Sequence, residues 1–413
     1  MASSAVTKAT TKITKPASIK AAKSAVELTT SSPAFEPRKS FAVSESITRS
    51  YYLGHHHAAL NRMQKMLSNV GLIIECRDFR VPISSWNPLL ERSLATSTAD
   101  RARIIVYTKR DLAPSQVNTH TRQKPQSENA KQSVAEVIQT LKDFHAKQRN
   151  AEEIVFLGDV NPRPANQLLE AIKRVARNAD NLTGLRAMVV GMPNAGKSTL
   201  LNKLRARGMN LPKAAKTGAE PGVTRKLGTP VRIVPREPDD GTSDPDLVGM
   251  GEGVFIVDTP GVFMPYVSSA EDMLRLSLVG CVKDGLISNV TVADYLLYHL
   301  NLVDPSCYKR LCPGGPTNDV YRWLEQIARS TGKLARFQEP NIEAAADWII
   351  QEWRKGGLAR FLLDVVTPET LGRAVEAARD PTLSLNQARK KEKVERKAKN
   401  EAKRGGMPSS SAA

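Results

Sequence analysis

The chain has 413 residues, 60 Lys and Arg against 42 Asp and Glu, a formal net charge of +18 and a pI near 9.8. The length argues against one small core, no apolar run nears the roughly 20 residues of a membrane span, and four cysteines without C-x-x-C pairing do not make a disulfide scaffold. The charge predicts a polyanionic partner, RNA, DNA or an acidic membrane surface, and the free thiols predict a reducing compartment.

The first 26 residues carry Lys8, Lys12, Lys15, Lys20 and Lys23, and no acid precedes Glu27. Such a Ser/Thr/Ala-rich start without a continuous apolar core predicts an organelle-import presequence. The first arginine is Arg38, and a disordered basic tail is the alternative. Leu53-Gly54-His55-His56-His57 reads as a surface loop before a helix at 58–67. Adjacent histidines point in different directions and are no metal site by themselves. A buried strand at 71–76 ends in Arg77-Asp78-Phe79-Arg80-Val81-Pro82, and 86–92 is a short helix.

A second buried strand, 103–107, runs into Thr108-Lys109-Arg110-Asp111. This is close to the N-K-x-D pattern that reads guanine. The carboxylate of Asp111 can accept from guanine N1 and the exocyclic amine, a donor pair adenine lacks. The stem of Lys109 can lie along the ring. Thr108 stands where Asn is usual, with a shorter reach. Residues 115–129 read as a loose insertion, 133–148 as an amphipathic helix and 153–157 as a strand. At Gly158-Asp159, backbone N–H groups could meet guanine O6. A helix at 165–177 then delivers the chain to a strand at 187–190.

After that strand comes Gly191-Met192-Pro193-Asn194-Ala195-Gly196-Lys197-Ser198, then Thr199 and a helix. Strand, glycine loop and helix form the context of a phosphate-binding P-loop. Its N–H groups converge on phosphate oxygens, Lys197 reaches the β/γ-phosphates, and the Ser198 hydroxyl ligates Mg²⁺. Thr224, in the Gly/Pro loop Gly222-Val223-Thr224, can bind Mg²⁺ and sense the γ-phosphate. Strands at 231–234 and 253–257 flank an acidic insertion. The second leads to Asp258-Thr259-Pro260-Gly261, a D-x-x-G with a carboxylate for the Mg²⁺ shell and a Gly261 N–H for the γ-phosphate. A P-loop kinase is disfavoured by the joint presence of TKRD and DTPG.

The motif order is TKRD, LGD, P-loop, PGVT, DTPG. In Ras-like GTPases the guanine motifs come last. A sheet tolerates such circular permutation when the old ends lie close together. With these motifs the chain resembles the circularly permuted YlqF/RbgA-type GTPases, and within them a fungal-looking mitochondrial version, from about residue 51 to 353. The resemblance implies an α/β permuted P-loop GTPase domain followed by an all-helical domain. The expected boundaries are a lead at 1–45, the G domain at 46–268, a helical domain contacting ribosomal RNA at 269–380 and a basic tail at 381–413. The implied nucleotide set is Thr108, Lys109, Asp111, Gly158, Asn194, Ala195, Gly196, Lys197, Ser198, Thr199, Thr224 and Gly261. The implied Mg²⁺ ligands are Ser198, Thr224 and Asp258, and Asn194 matches a residue that helps hold K⁺. The family's candidate catalytic histidine maps to His55, in a Leu-Gly-His-His stretch where the family has Pro-Gly-His-Met. A hydrophobic residue, here Val262, replaces the Ras-type glutamine.

Residues 270–356 read as several helices, with His299 as a packed or surface residue and Trp348 and Trp353 as core. Residues 387–404 hold nine basic and three acidic side chains, a solvated helix or an RNA-binding tail. The expected activity is GTP hydrolysis that assists assembly of the large mitochondrial ribosomal subunit. The expected location is the matrix, with peripheral inner-membrane contact implied by the resemblance and no transmembrane segment. The alternative is a nucleotide-dependent RNA-binding switch with negligible turnover.

Overall fold

The computed structural model describes residues 35–44, 46–49, 54–95, 101–114, 133–215, 218, 228–238, 245–264, 267, 269–379 and five positions between 387 and 397. Thr224 with its loop, and most of both basic ends, lie outside the described residues.

Six strands form one sheet: β1 (Leu72–Asp78), β2 (Ala102–Thr108), β3 (Glu153–Phe156), β4 (Leu185–Gly191), β5 (Val231–Val234) and β6 (Val254–Asp258). Their order is β3-β2-β1-β4-β6-β5. All pairs are parallel except β5 with β6. The Leu/Ile/Val runs of β1, β2 and β4 explain this, because a parallel sheet buries both faces. Every residue of β1 is buried. One face of the sheet packs on α4 (Arg163–Ala179) and α5 (Lys197–Met209) through Leu168, Ile172, Leu200 and Leu204. On the other side, α3 (Val134–Gln148) buries Val137 and Leu141, and its start is fixed by a Ser133/Glu136 capping box.

The connection after β1 goes to one side, that after β4 to the other. In an open parallel sheet the crevice at such a reversal, outside the carboxyl ends of the strands, is where ligands bind. The P-loop, TKRD and DTPG all leave strands at that end, after β4, β2 and β6.

Gly54–Met66 is α1, and its first turn contains His55, His56 and His57. These residues were expected in a loop; Gly54 begins the helix instead. The short helix α2 is Pro88–Ala95. Beyond the sheet come α6 (Ala270–Leu278), α7 (Asn289–Val303), α8 (Val320–Thr331), α9 (Ile342–Arg354) and α10 (Pro368–Arg379). Trp323, Tyr308 and Trp353 are buried there, and His299 stacks on Phe361 at 5.6 Å between ring centres. This core continues without a break into Val81, Met192 and Phe263 from the sheet loops. The chain from Pro37 onward is one compact unit. Within it Arg38 pairs with Asp294 at 2.6 Å and Phe41 meets Tyr295 edge-on.

Candidate functional site

The phosphate loop begins where only glycine fits. Gly191 has φ +143°, and a Cβ there would stand 2.3 Å from the Cys76 carbonyl oxygen of β1. Asn194 is left-handed at φ 55° and turns the loop toward α5. Ala195 is fully buried, Gly196 starts the helix and Thr199 is exposed on it. Lys197 is buried and donates to the carbonyls of Met192 at 2.7 Å and Gly191 at 3.3 Å. Burial pushes its pKa down, against the pull of Asp258. A phosphate offers that ammonium a charged partner in place of two neutral carbonyls.

Ser198 and Asp258 meet across the loop. The serine hydroxyl donates to Asp258 Oδ2 at 2.6 Å. The other carboxylate oxygen, Oδ1, is buried and has no hydrogen-bond partner among the described residues. Burial raises the Asp258 pKa, while Ser198 and Lys197 lower it. A hydroxyl and an under-satisfied carboxylate oxygen side by side are the hard donors that Mg²⁺ takes. The residues present therefore fit this ion, which P-loop GTPases generally use. The D-x-x-G turn is pinned from three sides. Thr259 donates to the Val189 carbonyl at 2.7 Å, Val262 N–H to the Gly191 carbonyl at 3.2 Å, and a Cβ on Gly261 would stand 2.5 Å from Pro193.

The TKRD motif is fastened to the 191–198 loop. The Thr108 hydroxyl donates to the Ala195 carbonyl at 2.8 Å, with the Arg77 carbonyl at 3.2 Å. Lys109, left-handed at φ 58°, donates to the Asn194 carbonyl at 2.7 Å and to Asp78 at 2.9 Å. Asp111 Oδ1 accepts from the Asp159 N–H at 3.1 Å, and a Cβ on Gly158 would be 3.0 Å from it. TKRD and LGD thus form one edge, and Lys203 of α5 reaches the Gly158 carbonyl from below.

Several residues here escaped sequence reading. Asp78 is fully buried and serves Arg80 at 2.8 Å as well as Lys109. Burial alone would raise its pKa; the cations Arg80 and Lys109 outweigh it and hold the carboxylate well below its usual range. His56 is buried, and its Nδ1 donates to the Gly261 carbonyl at 3.0 Å. Asn87 donates to the Val262 carbonyl at 2.8 Å. The amide of Asn194 donates to the Gly280 carbonyl at 2.7 Å, joining the phosphate loop to the helical region. The RDFRVP run and the triple histidine were visible signals, but their partners lie 31 to 205 residues away. The side chain of His55 lies outside the described residues.

The chain is similar in sequence to known proteins. A family model described as a 50S ribosome-binding GTPase matches residues 186–306. A mitochondrial GTPase 1 of Schizosaccharomyces japonicus is 36% identical over 78% of this chain and 91% of its own. That of Schizosaccharomyces pombe is 36% identical over 82% and 95%. A mitochondrial ribosome-associated GTPase 1 of Xenopus tropicalis is 30% identical over 79% and 98%.

Proposed function

The chain belongs to the mitochondrial GTPase 1 family and is a GTP hydrolase; from that premise we propose that it acts in the mitochondrial matrix and assists assembly of the large ribosomal subunit. One observation carries the nucleotide part: Thr108 and Lys109 bond to the phosphate loop, so the base reader and the phosphate reader are held at a fixed spacing. The names of relatives, the lysine-rich start and the net charge of +18 support the partner and the location. Peripheral contact with the inner membrane through the basic ends belongs to the same proposal. Among the described residues no helix is long and apolar enough to cross a membrane.

In this reading Asp111 and the Gly158 edge bind guanine. The 191–198 loop and Lys197 receive the phosphates. Ser198 and Asp258, with Thr224, would hold Mg²⁺, which when bound neutralises charge on the β- and γ-phosphates. The Gly261 N–H faces the γ-phosphate. Val262 is buried, has no polar side-chain atom and cannot orient water. Water positioning then falls to His55, at the start of α1, and extra positive charge to a K⁺ beside Asn194. The nitrogen of that amide donates to the Gly280 carbonyl. The helical region at 269–380 and the tail at 381–413 would engage the particle.

The second reading, a switch with negligible turnover, is favoured by Val262 alone. Hydrolysis measured in K⁺ and in Na⁺, with and without large mitochondrial subunits, separates the two. We expect slow turnover that K⁺ and subunits accelerate, with Asn194→Ala losing the K⁺ preference and His55→Ala the subunit effect. GTP-dependent particle binding without accelerated turnover would favour the switch.

A further inference from the structure

Phe337 is 94% exposed, the most of any large apolar side chain among the described residues. Its backbone is left-handed at φ 62°, and so is that of Gln338 at φ 64°. Residues with a Cβ seldom adopt this conformation. The loop between α8 and α9 that carries them is tightly closed. The Ala335 N–H donates to the Glu339 carbonyl at 2.7 Å, and the Asn341 N–H to the Lys333 carbonyl at 2.9 Å. Leu334 and Pro340 form a β-bridge. Gly332 ends α8 in the left-handed region, and the Asn341 side chain caps α9. Residues 333–340 are therefore a fixed finger, and Phe337 projects from it almost wholly exposed.

Three cations stand within eight residues of Phe337 in the chain, and one acid, Glu339, lies on the finger. Lys333 and Arg336 lie on the finger, and Arg329 stands in the last turn of α8. Tyr321, also exposed, shares a helix face with Arg329 eight residues on. This is a local feature, because residues 269–379 as a whole carry 13 Lys and Arg against 14 Asp and Glu. Glu325 pairs with Arg329 at 2.9 Å, an exposed contact that competes weakly with phosphate.

We propose that the 333–340 finger is an RNA contact, in which Phe337 stacks on an unpaired base while Lys333, Arg336 and Arg329 take neighbouring phosphates. A base presents a flat face to any aromatic ring, and the strand around it supplies the negative charge. A protein socket for Phe337 would need apolar neighbours around the ring; here Arg336 and Gln338 flank it, and Leu334 lies at the base of the finger. The inference rests on the ribosomal reading above and names where the RNA is held.

The test uses full-length protein, salt-washed large mitochondrial subunits and a 12-nucleotide single-stranded RNA. Phe337→Leu and Phe337→Gly should weaken binding to both probes about tenfold, and Phe337→Trp should stay within twofold. Hydrolysis without subunits should not change in any variant. Glycine accepts φ +62° without strain, so Phe337→Gly should hold or raise the thermal midpoint while it loses RNA. Leucine binding like wild type, tryptophan failing like leucine, or a photo-crosslink from position 337 to ribosomal protein instead of RNA would each overturn the inference. Wild type that fails to bind subunits would remove the ribosomal reading as well; wild type that binds while Phe337→Leu binds equally removes this inference alone.

Discussion

Asp111 and His56 show how much rests on single polar atoms. The carboxylate of Asp111 sits against Gly158 and the Asp159 N–H, which leaves it at the edge where guanine donors would arrive. Asp111→Asn should weaken GTP binding by about 1.5–3 kcal/mol, the worth of a charged hydrogen bond, and shift preference toward xanthosine triphosphate. Competition titration with the two nucleotides checks this. His56 holds the Gly261 carbonyl, and the N–H of the same peptide group, on Val262, goes to Gly191. That peptide is gripped at both ends. Loss of the histidine bond, worth roughly 0.5–1.5 kcal/mol, should let the turn drift. We expect His56→Leu to lower kcat several-fold with GDP affinity nearly unchanged. His56→Asn, which keeps a donor near Nδ1, should recover most of the rate. An asparagine variant as slow as leucine would mean that ring packing, not the bond, matters.

Among the elements, α6 and α9 show why the phosphate loop does not stand alone. At the carboxyl end of α6 the Ser277 carbonyl accepts the Gly280 N–H at 3.0 Å, and the Leu278 carbonyl lies past the last helical bond. Arg354 of α9 donates to both, at 2.7 and 2.9 Å, and pairs with Asp284 at 2.8 Å. Two residues past α6, the Gly280 carbonyl receives Asn194. Arg354→Ala removes a cap and a partly buried ion pair together and should cost about 2–3 kcal/mol, read from the denaturant midpoint. Arg354→Lys should recover less than half, since one ammonium cannot match the guanidinium fork. The strands and long helices around this joint were legible as apolar runs and 3.6-residue spacing. The first turn of α1 was not, because glycine and three histidines carry no apolar period. What buries His56 is the D-x-x-G turn, contributed by a strand far along the chain.

At the scale of the molecule, the sheet domain and the helices meet around a cavity of about 530 Å³ lined in part by Ser84, Trp86, Asp272, Arg275, Asp364 and Arg373. Arg275 faces three acids there: Glu271 at 2.7 Å, Asp272 at 2.8 Å and Asp364 at 3.7 Å. The Asp272 pKa is raised to about 6: burial pushes it up most, Arg275 pulls against that, and Asp364 and Glu271 add to the rise. A carboxyl whose folded pKa exceeds its unfolded value favours the folded state when protonated. That contribution is full below about pH 4 and is lost as the pH rises through 6. Asp272→Asn should therefore gain stability relative to wild type at pH 8 and lose most of that advantage by pH 4. Melting curves at the two values decide it; an equal difference at both would mean that Asp272 does not titrate in this window.

The sequence by itself determined the local motifs: the glycine loop, the D-x-x-G carboxylate, the Asp111 carboxylate and the order in which they occur. Each is set by residue type within a few positions of a strand end, so short-range sterics and hydrogen bonding suffice to write it. Only the tertiary structure decided which atoms hold which. It turned Thr108 and Lys109 onto the phosphate loop, gave Asp78 two cations, and sent Asn194 to Gly280 and His56 to Gly261. Those partners are brought together by burial of a core that joins sheet loops to helices. Burial of this kind depends on total apolar area and not on sequence distance, and so leaves no local mark on the residues it pairs.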